Sequence, residues 1–337
     1  MKTFKKIAFR IIVLSALLML MQIIYVRFFL EDDLQKHSPI VNDIRAIENE
    51  STVLYLGESS NVTYSEADRN KNSISDMLNG LLENEKVADI TKPAAHLGIY
   101  RTILENVASE SKIKTVVLTV NLRSFAADWV FSELETPLQK EMMLLQNRPA
   151  FFNRFLLSFR AYGTTNERKR FEKMNGWWKR EFLLIRNKKR TTVRDWQLEI
   201  DKNWIGSDIK KRELAKNYMN NFAFTLDKEH PRIKDLDAII ELAKQKGWNL
   251  VLNLLPENLD SMKELVGGDL VVLAKQNARF ITQRYEKKST IVVNNLVKVR
   301  GSNFVDKDYP TEHYNETGRM MISKSLADAV NLLNTPH

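Results

Sequence analysis

Cysteine is absent from the 337 residues, which excludes disulfide-stapled modules, thiolate metal centres and a lipidated N-terminal cysteine. Three familiar signatures are missing too: no Gly-x-x-x-x-Gly-Lys phosphate loop, no Gly-x-Gly-x-x-Gly fingerprint and no His-Glu-x-x-His metal pair. No metal or nucleotide cofactor is therefore implied. Histidine is scarce, with five in the chain, so any imidazole chemistry has few places to sit. The remainder is 44% hydrophobic and 28% charged, with 16 Phe, 9 Tyr and 6 Trp. That composition supports a sizeable core and is neither low-complexity nor disordered.

The first thirty residues carry a membrane-directed pattern. Lys2, Lys5, Lys6 and Arg10 precede an apolar run from Ile11 to Val26, interrupted only by Ser15 and Gln22, and Glu31, Asp32 and Asp33 follow soon after. Sixteen helical residues rise about 24 Å, short of a hydrocarbon core of about 30 Å. Arg10 and Arg27 can snorkel, and Phe28 to Leu30 extend the span. Cations before the run and carboxylates after it orient the N-terminus inward. The expectation is a single-pass protein of the bacterial cytoplasmic membrane, with residues 1–30 as a signal anchor and the main domain outside. A cleaved signal peptide is the competing reading, but no small-x-small site follows the run.

Residues 31–50 are polar and read as a juxtamembrane stalk or first helix. Beyond them, short apolar runs at Thr52–Leu56, Val87–Ile90, Thr115–Val120, Asn249–Leu255 and Thr290–Asn294 read as buried strands. Helical stripes alternate with them: Ile99, Ile103, Leu104 and Val107, then Leu236, Ile239, Ile240 and Leu242, then Met320, Ile322, Leu326, Val330 and Leu333. Continuous apolar strands between amphipathic helices predict a doubly wound α/β domain over 51–334, with a mostly parallel five-stranded sheet. In such sheets, reactive groups gather at the carboxyl ends of the strands.

One stretch, about 126–232, breaks the alternation and reads as a helical insertion. Its Phe151, Phe152, Phe155, Leu156 and Phe159 are expected to form an apolar face, and Trp177, Trp178, Trp196 and Trp204 packing anchors. From Arg154 to Arg194 there are 13 Lys/Arg against 3 Glu, an excess larger than the net +9 of the whole chain. Cations beside aromatics suit an anionic lipid surface or an acidic glycan as partner; plain solvation of a charged face is the simpler alternative. Nucleic acid would match the charge, but an exported domain does not meet it.

Chemistry-bearing residues fall just past the predicted strands. Ser59 follows the first strand in Leu56-Gly57-Glu58-Ser59-Ser60-Asn61, where a nucleophilic hydroxyl would be exposed, although a Ser after Gly is also a common turn or helix cap. Asn121 follows the third strand and could donate to a developing oxyanion, or simply close a turn. Near the C-terminus, Asp306-Lys-Asp308-Tyr-Pro-Thr-Glu312-His313 precedes the last helix. His313 sits beside carboxylates in a loop, and a serine's general base needs an imidazole oriented by an acceptor. Asp308 is the preferred acid; Asp306, Glu312 or a Ser/His dyad are alternatives.

The order Ser59, Asn121, His313 along successive strand ends resembles the SGNH/GDSL hydrolase superfamily. Residues Leu252–Asn258 and Glu312–Arg319 look more like its membrane-anchored branch, which includes the teichoic-acid D-alanyl transfer protein and the alginate O-acetyltransferases. The resemblance implies an SGNH/flavodoxin-like sheet, Ser59 as nucleophile, His313 as base and Asn121 as an oxyanion donor. Gly98 is the nearest candidate for the second-block glycine, with an amide at Ala95 or His96 as a substitute. It also implies an esterase or O-acyltransferase acting on an envelope polysaccharide or glycolipid, in some relatives beside a polytopic acyltransferase. The sequence departs from the pattern in having Glu58 where an Asp is usual, and in placing Asp308 five residues before His313. A non-catalytic envelope scaffold that keeps the fold is the alternative function.

Overall fold

A computed structural model describes residues 2–163, 166–186, 188–204 and 208–334. Seven strands form among them: β1 (Val53–Gly57), β2 (Val87–Thr91), β3 (Thr115–Val120), β4 (Phe182–Ile185), β5 (Lys188–Thr192), β6 (Asn249–Leu254) and β7 (Thr290–Asn294). Five of them make a sheet of order β2-β1-β3-β6-β7, and every neighbouring pair is parallel. All the residues of β1 and β3 are buried, which is why both read as continuous rather than alternating apolar runs.

Period-2 side-chain alternation divides the core between two faces. Leu54, Leu56, Val116, Leu118, Leu250 and Leu252 belong to one cluster with Ile103 of helix Leu97–Glu105, Leu236 of Pro231–Lys246 and Ile281 of Gly268–Tyr285. Val53, Tyr55, Val117 and Val251 join the other, with Leu78 of helix Ile74–Leu81 and Ile322 and Leu326 of helix Glu316–Asn334. Helices thus cover both faces of the sheet, a doubly wound α/β fold.

Local signals set the helix ends. Ser73 and Asp76 form a reciprocal capping box at the start of Ile74–Leu81. Helix Pro231–Lys246 starts with Pro after a His230 cap and stops at Gly247, whose φ of 69° is the left-handed conformation that favours glycine.

The helix Lys2–Phe28 stands apart from the core: its stretch from Thr3 to Phe28 is long and apolar enough to cross a membrane, and none of its most apolar window is buried. Residues 31–50 do not form a free stalk. They fold largely into helices Leu30–His37 and Ile40–Glu48, and Leu34, Ile40, Val41, Ile44 and Ile47 enter the main core. The spacing of Ile40, Val41, Ile44 and Ile47 is that of an amphipathic stripe, obscured in the sequence by the charges around it.

The 126–232 stretch is largely helical, with one addition: β4 and β5 pair as an antiparallel hairpin. Trp178 and Trp196 are buried, and Trp177 and Trp204 pack partly buried against the core. The expected apolar face of Phe151 to Phe159 is only partly inward. In helix Ala150–Ser158, Asn153 and Leu157 are the buried residues, whereas Phe152, Phe155 and Phe159 are exposed by 47%, 50% and 70%. Three of the basic residues, Lys188, Lys189 and Arg190, have side chains that lie outside the described residues.

Candidate active site

The strand order turns at β1 and β3: the chain leaves β1 for β2 on one side and returns to β3 on the other. A crevice opens at the carboxyl ends of strands flanking such a reversal, and Ser59 and Asn121 follow those two ends. Gly57 ends β1 without room for a side chain. A Cβ there would lie 2.8 Å from Thr91 Oγ1, 2.9 Å from the Tyr55 ring and 3.0 Å from Asn61 Cβ. Glu58 then adopts an extended conformation (φ −122°, ψ −163°) as the cap of the short helix Ser59–Val62, its carboxylate accepting from the Ser60 N–H. Asn61 anchors the turn from beneath, donating to Thr91 Oγ1 at 2.8 Å and accepting from the Ser75 N–H at 2.9 Å.

Ser59 is left half-buried, with its Oγ 3.1 Å from His313 Nε2 and 3.2 Å from Glu58 Oε2. A hydroxyl has one proton to donate, so the two acceptors compete for it. The opposite ring nitrogen, His313 Nδ1, lies 2.7 Å from Asp306 Oδ2. A carboxylate accepts only from a protonated Nδ1, and that tautomer leaves Nε2 free to take the serine proton. Thr311 Oγ1 donates to the same Asp306 oxygen at 2.5 Å, fixing the carboxylate from its other side.

The acid against His313 is thus Asp306, not the preferred Asp308, which is exposed and makes no hydrogen bond to the ring. The backbone explains the choice. Phe304 and Tyr314 form an antiparallel bridge and the Val305 N–H donates to the His313 carbonyl at 2.9 Å. The chain folds back on itself between them, bringing residue 306 beside residue 313 and carrying 308 out toward solvent.

Asn121 is buried, with Oδ1 accepting from the Arg123 N–H at 2.9 Å and Nδ2 donating to Glu312 Oε2 at 2.8 Å. One amide proton is thereby committed, and the other has no partner among the described residues. Gly98 is not brought into this set. Its N–H donates to His96 Nδ1 at 3.1 Å, and a Cβ on it would lie 2.9 Å from Asp235 Oδ2, so the glycine permits helix Leu97–Glu105 to approach helix Pro231–Lys246.

Glu312, the residue before His313, belongs to a buried acidic cluster. Glu312 and Glu257 are 0% and 3% exposed, and Arg123 Nη2 donates to Glu312 Oε2 at 2.6 Å while its guanidinium lies 4.5 Å from the Trp129 ring. Burial pushes the Glu257 carboxyl well above the ordinary carboxylate range, reinforced by the charge of Glu312. Burial raises Glu312 as well, against the pull of Arg123. One guanidinium facing two desolvated carboxyls favours keeping a proton on the pair. Sequence reasoning missed Arg123 and Glu257 as parts of the site. The available signal was positional, since each comes shortly after a strand's carboxyl end.

The loop beyond Ser59 is tied to the last helix by Arg319, which is fully buried. Its guanidinium donates to Asp68 at 2.9 Å and to the carbonyls of Asn70, Asn72 and Tyr314. That clamp holds the Ser59 and His313 segments in one block.

No family model matches the chain, and no curated protein matches it. Among solved structures, one from Streptococcus pneumonia, described provisionally as a platelet activating factor, is 12% identical. It aligns over 89% of this chain and 96% of its own, with a TM-score of 0.39. The lipase Lip_vut3 from a goat rumen metagenome is 13% identical over 82% of this chain and 96% of its own, with a TM-score of 0.37. At that level of likeness neither bears on activity, and the functional reading rests on the geometry.

Proposed function

We propose that this chain is a membrane-anchored, serine-dependent O-acyltransferase or esterase acting on a cell-envelope glycan, polymer or glycolipid. The observation that supports it is the series Ser59 Oγ, His313 Nε2, His313 Nδ1 and Asp306 Oδ2, with contacts of 3.1 and 2.7 Å. In this reading Ser59 Oγ attacks the acyl carbonyl as His313 Nε2 takes its proton, and Asp306 holds the imidazole and stabilises the imidazolium. The free Asn121 amide proton and the Ser59 N–H hold the oxyanion. The tetrahedral adduct collapses, His313 returns the proton to the departing alcohol, and an acyl–Ser59 ester remains. A sugar hydroxyl or water then attacks that ester by the same route in reverse. Transfer is preferred because the anchor keeps the site near a membrane-derived donor, in line with a polytopic acyltransferase partner.

The test is labelling with a serine-reactive fluorophosphonate. Wild type should label, and Ser59→Ala and His313→Ala proteins that remain folded should not. A folded wild type that does not label overturns the reading. Release of acid from a model ester without any sugar acceptor would favour hydrolysis over transfer. One observation favours a non-catalytic scaffold instead: the Gly98 amide is occupied by His96, leaving fewer donors for an oxyanion.

A further inference from the structure

We propose that the helix Ala150–Ser158 is a second membrane contact. It lies along the bilayer surface, with Phe152, Phe155 and Phe159 immersed among the acyl chains of the leaflet next to the α/β body. The proposal rests on reading Lys2–Phe28 as a membrane span, and adds to it a surface that fixes how the body sits.

The sequence places the three phenylalanines at i, i+3 and i+7, one stripe of the helix. They touch one another, with ring centroids 6.5 Å apart for Phe152 and Phe155 and 4.5 Å for Phe155 and Phe159, and all three are exposed. A contiguous aromatic cluster facing water is costly, and such patches mark interaction surfaces. The other side of the helix is fastened to the body, where Leu157 is buried and Asn153 Nδ2 donates to the Gln146 carbonyl at 2.8 Å.

The span itself sets the depth. The Phe151 N–H donates to Gln22 Oε1 at 2.8 Å, and the Phe151 ring meets the Tyr25 ring edge-on at 6.0 Å. This accounts for Gln22, the polar residue late in the apolar run. No side-chain cap serves the start of the helix Ala150–Ser158, and the glutamine satisfies one of its unpaired amides. Gln22 lies six residues before Phe28, roughly 9 Å along the helix axis. Interfacial helices submerge their apolar face by about 5–10 Å, so the two depths agree.

Between the helices runs an open groove of about 1010 Å³, walled by Leu18, Met19 and Ile23 on one side and Phe152 and Phe155 on the other. Its lining is continuous with the apolar surface of the span, so whatever covers the span covers the groove. We assign it to lipid acyl chains. Polar groups sit where headgroups would be: Asp33 accepts from Arg154 Nε at 2.7 Å and from Tyr25 Oη at 2.9 Å, and exposed Arg148 and Arg160 flank the helix.

The absence of native cysteine allows a direct test on the full chain. Single cysteines replace Phe155, Phe159, Leu18 or the exposed Lys324, each carrying an environment-sensitive fluorophore, in phosphatidylcholine–phosphatidylglycerol vesicles. Labels at Phe155→Cys and Phe159→Cys should shift to the blue and be quenched by lipids spin-labelled near the headgroup. The label at Lys324→Cys should respond to aqueous iodide instead. If both phenylalanine positions report water while Leu18→Cys reports lipid, the proposal is overturned and the span survives. If Leu18→Cys also reports water, both fall. Lipid at the phenylalanine positions with water at Leu18→Cys would remove the span and overturn the proposal that rests on it.

Discussion

Ser59 and His313 are 254 residues apart in the chain, yet Ser59 Oγ lies 3.1 Å from His313 Nε2. Their meeting depends on parallel strands that send successive loops to one edge of the sheet, and on Arg319 clamping the loop after Ser59 to the helix after His313. Groups that act as one unit lose function together. Ser59→Ala and His313→Ala should each lower acyl-ester turnover by about 10⁴–10⁶-fold, and the double variant should be no worse than either. Additive losses, measured by single-turnover acylation, would mean that the two side chains do not share a step.

The carboxylate assignment is separable by substitution. Asp306→Asn replaces a group that only accepts with an amide that can also donate to Nδ1, so the Nδ1–H tautomer is no longer fixed, and it should cut turnover by about 10⁴-fold, with the protein still folded. Asp308→Asn changes an exposed side chain and should leave turnover near wild type. Equal effects, or a loss confined to Asp308→Asn, would contradict the geometry around His313.

The sheet was legible because its central strands β1, β3 and β6 are buried almost throughout, and Thr115–Val120 and Thr290–Asn294 coincide with the predicted runs. The contact of Ser59 with His313 was legible because one follows the first strand and the other precedes the last helix. Asp306 was less so: its approach to His313 depends on the Phe304–Tyr314 bridge, a long-range backbone pairing that leaves no periodic trace. The helices within 31–50 were hidden for another reason. Charges dominate the segment's composition, while five apolar side chains decide where it packs. The hairpin of β4 and β5 was masked by its basic residues, and the stripe of Phe152, Phe155 and Phe159 could not be assigned to core or surface from periodicity alone.

The Glu257 and Glu312 pair gives a dependence on pH that can be measured. Burial, with the neighbouring Glu312 charge, raises the Glu257 carboxyl above its ordinary value of 4.5, so the folded protein retains a proton that the unfolded chain releases. The stabilising contribution is fully present below the unfolded value and is lost as pH rises toward the folded one. Each pH unit in that window is worth at most about 1.4 kcal/mol. Glu257→Gln keeps the shape without the charge, so the variant should gain stability relative to wild type as pH rises from about 5 to 8. Thermal midpoints that stay parallel across that range would show that the pair does not bind the extra proton.

The turn before the nucleophile makes the sharpest demand on a single position. A methyl group at Gly57 would meet Thr91 Oγ1 at 2.8 Å and Asn61 Cβ at 3.0 Å, and Asn61 holds the turn through Thr91 and Ser75. Gly57→Ala must therefore displace Asn61, two residues beyond Ser59, or push β1 away from β2. Overpacking of this kind costs about 1–3 kcal/mol. A small shift of the nucleophile costs more in rate than in stability, because misplacement by about 1 Å can lose about 100-fold. Gly57→Ala should thus lower fluorophosphonate labelling by about 100-fold with only a modest fall in thermal midpoint. Gly80→Ala, which meets open space, should change neither. Full labelling of Gly57→Ala would show that the turn tolerates a side chain and that Asn61 does not position Ser59.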